Sequence, residues 1–132
     1  MPTIDPNTKL RILVAEDNPA VQEFIVRALA AFEADVKTAN DGQEALDALA
    51  ANAFHVLITD IVMPNVDGIA LALKVGQDYP SLRVIMISGY AQERMRAHNL
   101  ESLVHRVIAK PFSLDEICDA VEDVLSIEND NQ

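Results

Sequence analysis

Val56-Leu57-Ile58-Thr59-Asp60, followed at once by Ile61-Val62-Met63-Pro64-Asn65-Val66-Asp67-Gly68, is the stretch on which the reading of this chain turns. The apolar run suits a buried strand, and it stops at a carboxylate. Pro64 stiffens the loop that follows. An acid held at the carboxyl end of a strand, on such a loop, is placed for chemistry more than for packing. Alone, Asp60 would read as a solvent-facing acid at a strand exit, so its weight depends on what other segments bring to the same edge.

Upstream, Leu10 to Ala15 is a strand closed by Glu16-Asp17-Asn18-Pro19, after which Val21, Phe24, Ile25, Ala28, Leu29 and Phe32 recur three and four apart as one helical stripe. Ala34 to Ala39 is a weaker strand with Asn40-Asp41-Gly42 as its turn. It leads into an alanine-rich helix, Gln43 to Ala51, with Ala45, Leu46 and Leu49 facing inward. Downstream of Asp60, a helix covers about Ile69 to Gln77, and Leu82 to Ile87 is a fourth strand ended by Ser88-Gly89. Ala91 to Leu100 reads as a polar helix with few core anchors, and Leu103 to Ala109 as the fifth strand. Ser113 caps a last helix with Leu114, Ile117, Cys118, Val121, Val124 and Leu125 on its buried side. Five strand-helix units with short connections predict an α/β fold, a parallel sheet with helices on both faces and right-handed crossovers. In that architecture the carboxyl ends of the strands gather along one edge, where ligands bind.

The 132 residues suffice for one domain with a real core, here Leu10 to Ser126, flanked by polar tails at 1–9 and 127–132. A net charge of −11 argues against direct DNA binding, which needs clustered Lys and Arg. Cys118 is the sole cysteine, reads as a core or near-core thiol, and cannot form an internal disulfide. There is no signal-peptide pattern, and no apolar run approaches the roughly 20 residues of a membrane span, so the expected compartment is the cytoplasm and no membrane insertion is expected.

Glu16 and Asp17 follow the first strand, Asp60 the third, Ser88 the fourth and Lys110 the fifth. Three carboxylates gathered in a partly buried cleft repel one another unless positive charge is present. A divalent cation supplies it, and oxygen ligands without His or Cys favour Mg2+, with Mn2+ as a substitute, over zinc. His55, His98 and His105 stand apart and read as ordinary surface or strand-edge residues. Lys110 can hold an anion that touches the metal, and Ser88 offers a hydroxyl to the same anion. Carboxylate, metal, lysine and hydroxyl describe a phosphoryl site at which an Asp can form an aspartyl-phosphate. No glycine-rich nucleotide loop accompanies them, which points to a phosphorylated molecule or protein as donor. On residue statistics the Lys110–Pro111 bond is open between trans and cis, with trans the commoner state.

These residues resemble the receiver domain of two-component response regulators over the span Leu10 to Leu125. The marks are Glu16-Asp17, Asp60 within Asp-Ile-Val-Met-Pro-Asn-Val-Asp-Gly, Ser88-Gly-Tyr, and Lys110-Pro111-Phe112. The resemblance implies a flavodoxin-like receiver fold with strand order 2-1-3-4-5. It also implies that Asp60 takes phosphate from the histidine of a sensor kinase or phosphotransfer protein. Asp17 and Asp60 match direct magnesium ligands, Glu16 an acid that holds the ion through water, and the Val62 carbonyl the third protein ligand. Lys110 matches the phosphate-binding lysine, its bond to Pro111 is cis in the family, and Ser88 matches the hydroxyl that turns toward the phosphate. One departure is Val107, where the family commonly carries an aromatic; coupling outward would then rest on smaller repacking helped by Tyr90. Val62 and Tyr90 stand where the family tunes phosphoryl hydrolysis, and an apolar side chain and a ring there imply slow loss of phosphate.

The resemblance implies a signalling module that catalyses its own phosphoryl transfer and slow autodephosphorylation, not an enzyme acting on free substrates. With no DNA-binding segment after the last helix, output is expected to pass to a downstream protein at the surface of the fourth helix, fifth strand and fifth helix, as monomer or phosphorylation-dependent dimer. The sequence style is similar to receivers attached to hybrid kinases and to small single-domain regulators of alphaproteobacterial cell-cycle proteolysis. Two other classes stand against this reading. A hydrolase or phosphotransferase for small phosphoesters would need a substrate pocket and an acid-base residue that the short loops leave little room for. A phosphorylation-independent structural receiver would need a broken site.

Overall fold

In the computed structural model, which describes residues 9–89 and 104–126, the alternation becomes nine regular elements among the described residues. They are β1 (Arg11–Ala15), α1 (Pro19–Leu29) running into a 3-10 turn at Ala30–Phe32, β2 (Asp35–Ala39), α2 (Gly42–Ala51), β3 (Val56–Asp60), α3 (Gly68–Asp78), β4 (Arg83–Ser88), β5 (Arg106–Ala109) and α4 (Leu114–Leu125). The sheet is parallel in the order β2-β1-β3-β4-β5, as the resemblance implies. Tyr90, the helix expected over 91–100 and Leu103 lie outside the described residues.

Strands buried on both faces are apolar at most positions, which is why β1, β3 and β4 read as hydrophobic runs, with Thr59 and the terminal Asp60 and Ser88 as their buried polar residues. Alternate residues then point to opposite layers. Leu13, Leu57, Val84 and Met86 meet Ala45, Leu49, Leu71 and Val75 of α2 and α3. Ile12, Val14, Ile58, Ile85 and Ile87 meet Ile25 and Leu29 of α1 and Ile117, Val121 and Val124 of α4. Each fully buried Ile or Leu contributes about 1.5–3 kcal/mol of transfer free energy. The edge strand β2 has only Ala39 buried, which accounts for its weak sequence signal.

The stripes expected on the helices hold with three corrections. Leu114 and Leu125 are 47% and 40% exposed. The spacing that reaches the sheet is Ile117, Ala120, Val121 and Val124; Leu114 precedes it by a turn and Leu125 lies about 100° around the helix from Val124. Phe24 is also exposed on one side, and its ring packs against Phe112 with centroids 5.8 Å apart. Cys118 is half-buried, with Sγ 3.4 Å from the Ala28 carbonyl oxygen.

Two histidines fasten the amino ends of the strands. His55 Nδ1 accepts the Arg11 N–H at 2.9 Å, and His105 Nδ1 accepts the Val84 N–H at 2.9 Å. Each histidine also donates its own backbone N–H to the carbonyl of the residue it caps, at 2.9 and 2.8 Å. Burial and the neighbouring Arg11 charge lower the His55 pKa, and burial and the Arg83 charge lower that of His105. Protonation therefore favours the unfolded chain. The stabilisation is complete above the ordinary value of 6.5 and is lost as pH falls below it. His55→Asn should keep an acceptor for Arg11 without titrating, so the protection of the Arg11 amide against hydrogen exchange, relative to its intrinsic rate at each pH, should fall between pH 7 and 5 in the native protein and change less in the variant. An equal fall in protection in both would refute the assignment.

Candidate functional site

Four strand exits converge at one edge. Parallel pairing puts Asp60 level with Ile87 and Ser88 level with Ala109, while β1 ends beside β3. Glu16, Asp17, Asp60, Ser88 and Lys110 are thereby brought to the same place, as expected of a ligand edge.

The local geometry explains how each is held. Glu16 is 1% exposed, fixed by its backbone N–H donating to the Ala39 carbonyl at 3.0 Å and by the Asn18 N–H donating to Oε2 at 3.0 Å. Asn18 in turn caps α1, its Oδ1 accepting from Ala20 N–H at 2.9 Å, with Pro19 at the first helical position. Asp60 is 5% exposed; Oδ1 accepts the Ile61 N–H at 2.8 Å and Oδ2 accepts from Lys110 Nζ at 3.0 Å. The Lys110 backbone N–H donates to the Ser88 carbonyl at 2.8 Å, and the Lys110–Pro111 bond is cis. In the following loop Ile61 and Met63 are buried while Val62 is 58% exposed, so that loop is pinned on either side of an outward valine.

Oxygens of Glu16, Asp17 and Asp60 all lie within 4.8 Å of one another. Burial pushes Glu16 up to about 7, with the Asp60 and Asp17 charges adding to it against the Asn18 amide and Lys110. Among the described residues, Glu16 Oε1 and Ser88 Oγ are buried with no hydrogen-bond partner. Buried polar atoms are rarely left unsatisfied, and each of these fits a specific guest: a hard cation for the carboxylate oxygen, a phosphoryl oxygen for the hydroxyl. The all-oxygen donor set suits a divalent cation of the magnesium type.

An open cavity of about 650 Å³ adjoins Asp60 and Lys110, lined on its apolar side by Val21, Phe24, Val62 and Phe112. Sequence reasoning did not reach three other features of this region. Asp41 and Asn65 are joined across two loops, with Asn65 Nδ2 donating to Asp41 Oδ2 at 2.7 Å. Gly42 and Gly68 are sites of close backbone approach: an added Cβ would overlap the Val66 carbonyl oxygen at the first and the Asp60 carbonyl oxygen at the second. The signals were present as Asp41-Gly42 at a helix start and Gly68 after the loop, but pairing between distant loops is invisible to spacing. His98 lies outside the described residues, and His55 and His105 take no part in the site.

This fold and this edge are those of a phosphoacceptor module. The chain belongs to the response regulator receiver domain family, which matches residues 12–122. It is 34% identical over 115 residues to the response regulator receiver protein CpdR of Brucella abortus, covering 87% of this chain and 96% of CpdR. It is 33% identical over 115 residues to the sensor histidine kinase RcsC of Salmonella typhi, covering 87% of this chain but only 12% of that larger protein. Among solved structures, the response regulator TrrA of Thermotoga maritima in complex with Mg2+ and BeF superposes with a TM-score of 0.79 at 25% identity, covering 87% of this chain and 98% of TrrA. Receivers act in phosphotransfer signalling by catalysing their own phosphoryl transfer, and the acidic cluster stands where they take up the group. Among the described residues no helix is long and apolar enough to cross a membrane.

Proposed function

We propose that Asp60 accepts a phosphoryl group from a phosphohistidine protein and that the receiver domain, residues 10–126, then presents a changed surface to a downstream protein. The observation that carries this reading is the position of Asp60, buried at a strand exit between the Lys110 ammonium at 3.0 Å and the carboxylates of Glu16 and Asp17. An Asp60 oxygen forms the bond to phosphorus as the phosphorus–nitrogen bond to the donor imidazole breaks, the electron pair leaving with the imidazole. Lys110 holds charge on the transferring oxygens, and the Ser88 hydroxyl donates to one of them in the product. When bound by Glu16, Asp17, Asp60 and the Val62 carbonyl, magnesium neutralises charge on the same oxygens.

A sensor kinase or phosphotransfer protein as donor is supported by the match to a segment of RcsC, a sensor histidine kinase. The output surface is β5, α4 and the segment 91–100; on β5 Val107 is half-buried, pairs in register with Met86 and packs against the layer under α2 and α3, while Ile108 is the strand's buried residue. The modification adds about −1.5 to −2 charges, enough to bias a surface with two close states.

Intact mass after exposure to acetyl phosphate tests the acceptor directly. The wild type should gain one phosphoryl group only with magnesium present, and Asp60→Asn should gain none. With Val62 exposed beside the acceptor, the adduct should persist for minutes; decay within seconds would remove the role given to Val62. A phosphoryl gain retained in Asp60→Asn would remove Asp60 as acceptor.

A further inference from the structure

The loop after Asp60 carries the Val62 carbonyl, yet its far end is fastened to a different strand-helix unit. We infer that Asp41 and Asn65 are positioning residues for metal binding, a clasp between the amino end of α2 and the β3–α3 loop that fixes where the Val62 carbonyl stands. The inference rests on the reading of Glu16, Asp17, Asp60 and Val62 as the metal ligands.

Three observations converge on the clasp. Asp41 divides its carboxylate: Oδ1 caps α2 by accepting the Glu44 N–H at 2.8 Å, and Oδ2 accepts from Asn65 Nδ2 at 2.7 Å. These bonds hold the Asp41 pKa below its ordinary value, first through the Glu44 amide and then through Asn65, so the carboxylate stays charged and remains a strong acceptor. Asn65 sits at φ 69°, a left-handed conformation that Asn tolerates better than most residues, and this turns the loop back toward α2. Gly42, the first residue of α2, lies so close under Val66 that a Cβ there would stand 2.6 Å from the Val66 Cβ and overlap its carbonyl oxygen.

At the other end the loop is fixed by the Gly68 N–H donating to the Ile61 carbonyl at 2.7 Å. A loop held at both ends presents its intervening carbonyl in one place. Groups that orient a ligand from behind typically tune metal affinity without touching the ion.

The substitutions separate the clasp from the helix cap. Asp41→Asn keeps an oxygen for the Glu44 N–H but sets an amide against the Asn65 amide. Asn65→Gly removes the clasp while suiting the left-handed backbone. Each should weaken Mg2+ binding roughly tenfold, read by amide NMR titration with MgCl2. In metal-free protein each should also speed hydrogen exchange at the Val66 and Gly68 amides, with the urea midpoint little changed.

Combining Asp41→Asn with Asn65→Asp reverses donor and acceptor and should restore both readouts. Faster exchange with wild-type Mg2+ affinity would overturn the positioning role and leave a loop fastener only. Failure of the reversed pair to recover affinity would overturn it as well. No Mg2+ response in the wild type would overturn the inference together with the metal-site reading beneath it.

Discussion

Glu16→Gln is expected to raise the stability of the metal-free protein at pH 8 by on the order of 3 kcal/mol and to remove most of the stabilisation that magnesium gives the native chain. The ordinary value for Glu16 is 4.5 and burial lifts it to about 7 in the folded protein. Below 4.5 both folded and unfolded chains hold the proton and there is no difference between them. Between 4.5 and about 7 the unfolded chain releases its proton first, so stability falls as pH rises, by about 1.4 kcal/mol per pH unit. Above the folded value the penalty is constant. Gln keeps an oxygen for the Asn18 N–H and can donate its amide toward the carboxylates, so the bond at 3.0 Å survives while the charge does not. Urea midpoints from pH 5 to 8, with EDTA and with magnesium, check this. Parallel pH curves for native and variant protein would refute it, because the charge of Glu16 would then cost nothing.

Gly68→Ala is expected to cost about 3 kcal/mol of stability, the upper part of the usual range for overpacking. Its remaining folded fraction should phosphorylate roughly a hundredfold more slowly, the scale set by a misplacement of about 1 Å at a reacting group. The added methyl meets backbone, which cannot rotate away: the Asp60 carbonyl oxygen overlaps it and Ile61 Cα lies 2.8 Å off. Relief requires β3 and the amino end of α3 to part, and that moves the acceptor. The effect is steric alone, since no glycine among the described residues has a positive φ. Phosphorylation rate per folded molecule, with the folded fraction read by circular dichroism, separates the two losses. A folded variant with the native rate would mean that the acceptor tolerates a shift of its own strand end.

Much of this was legible in order and spacing. The central strands announced themselves because burial on both faces favours apolar residues at nearly every position, Thr59 being the exception inside β3, and the acids, hydroxyl and lysine were found because each terminates such a run. The ends of helices were less legible: Leu114 and Leu125 are apolar but project off the stripe that meets the sheet, a matter of 100° that a list of hydrophobic positions smooths over. The contacts between loops were not legible. Nothing in Asp41-Gly42 or Pro64-Asn65-Val66 names its partner, because the closeness of residues 41 and 65 is a product of the sheet order and not of either segment. His55 and His105 illustrate the same limit: they read as surface or strand-edge residues, which is where they stand, but the acceptor each supplies to a neighbouring strand was not legible.

Those histidines also set the two ends of the sheet against each other. At the carboxyl edge Glu16 gains from a proton, and at the amino edge His55 and His105 lose their acceptor role to one. Mild acid thus tightens one rim of the sheet as it loosens the other. A global melting curve reports only the sum, which is flatter than either part, so a metal-free protein that seems indifferent to pH conceals two opposed local responses that exchange at single amides would resolve.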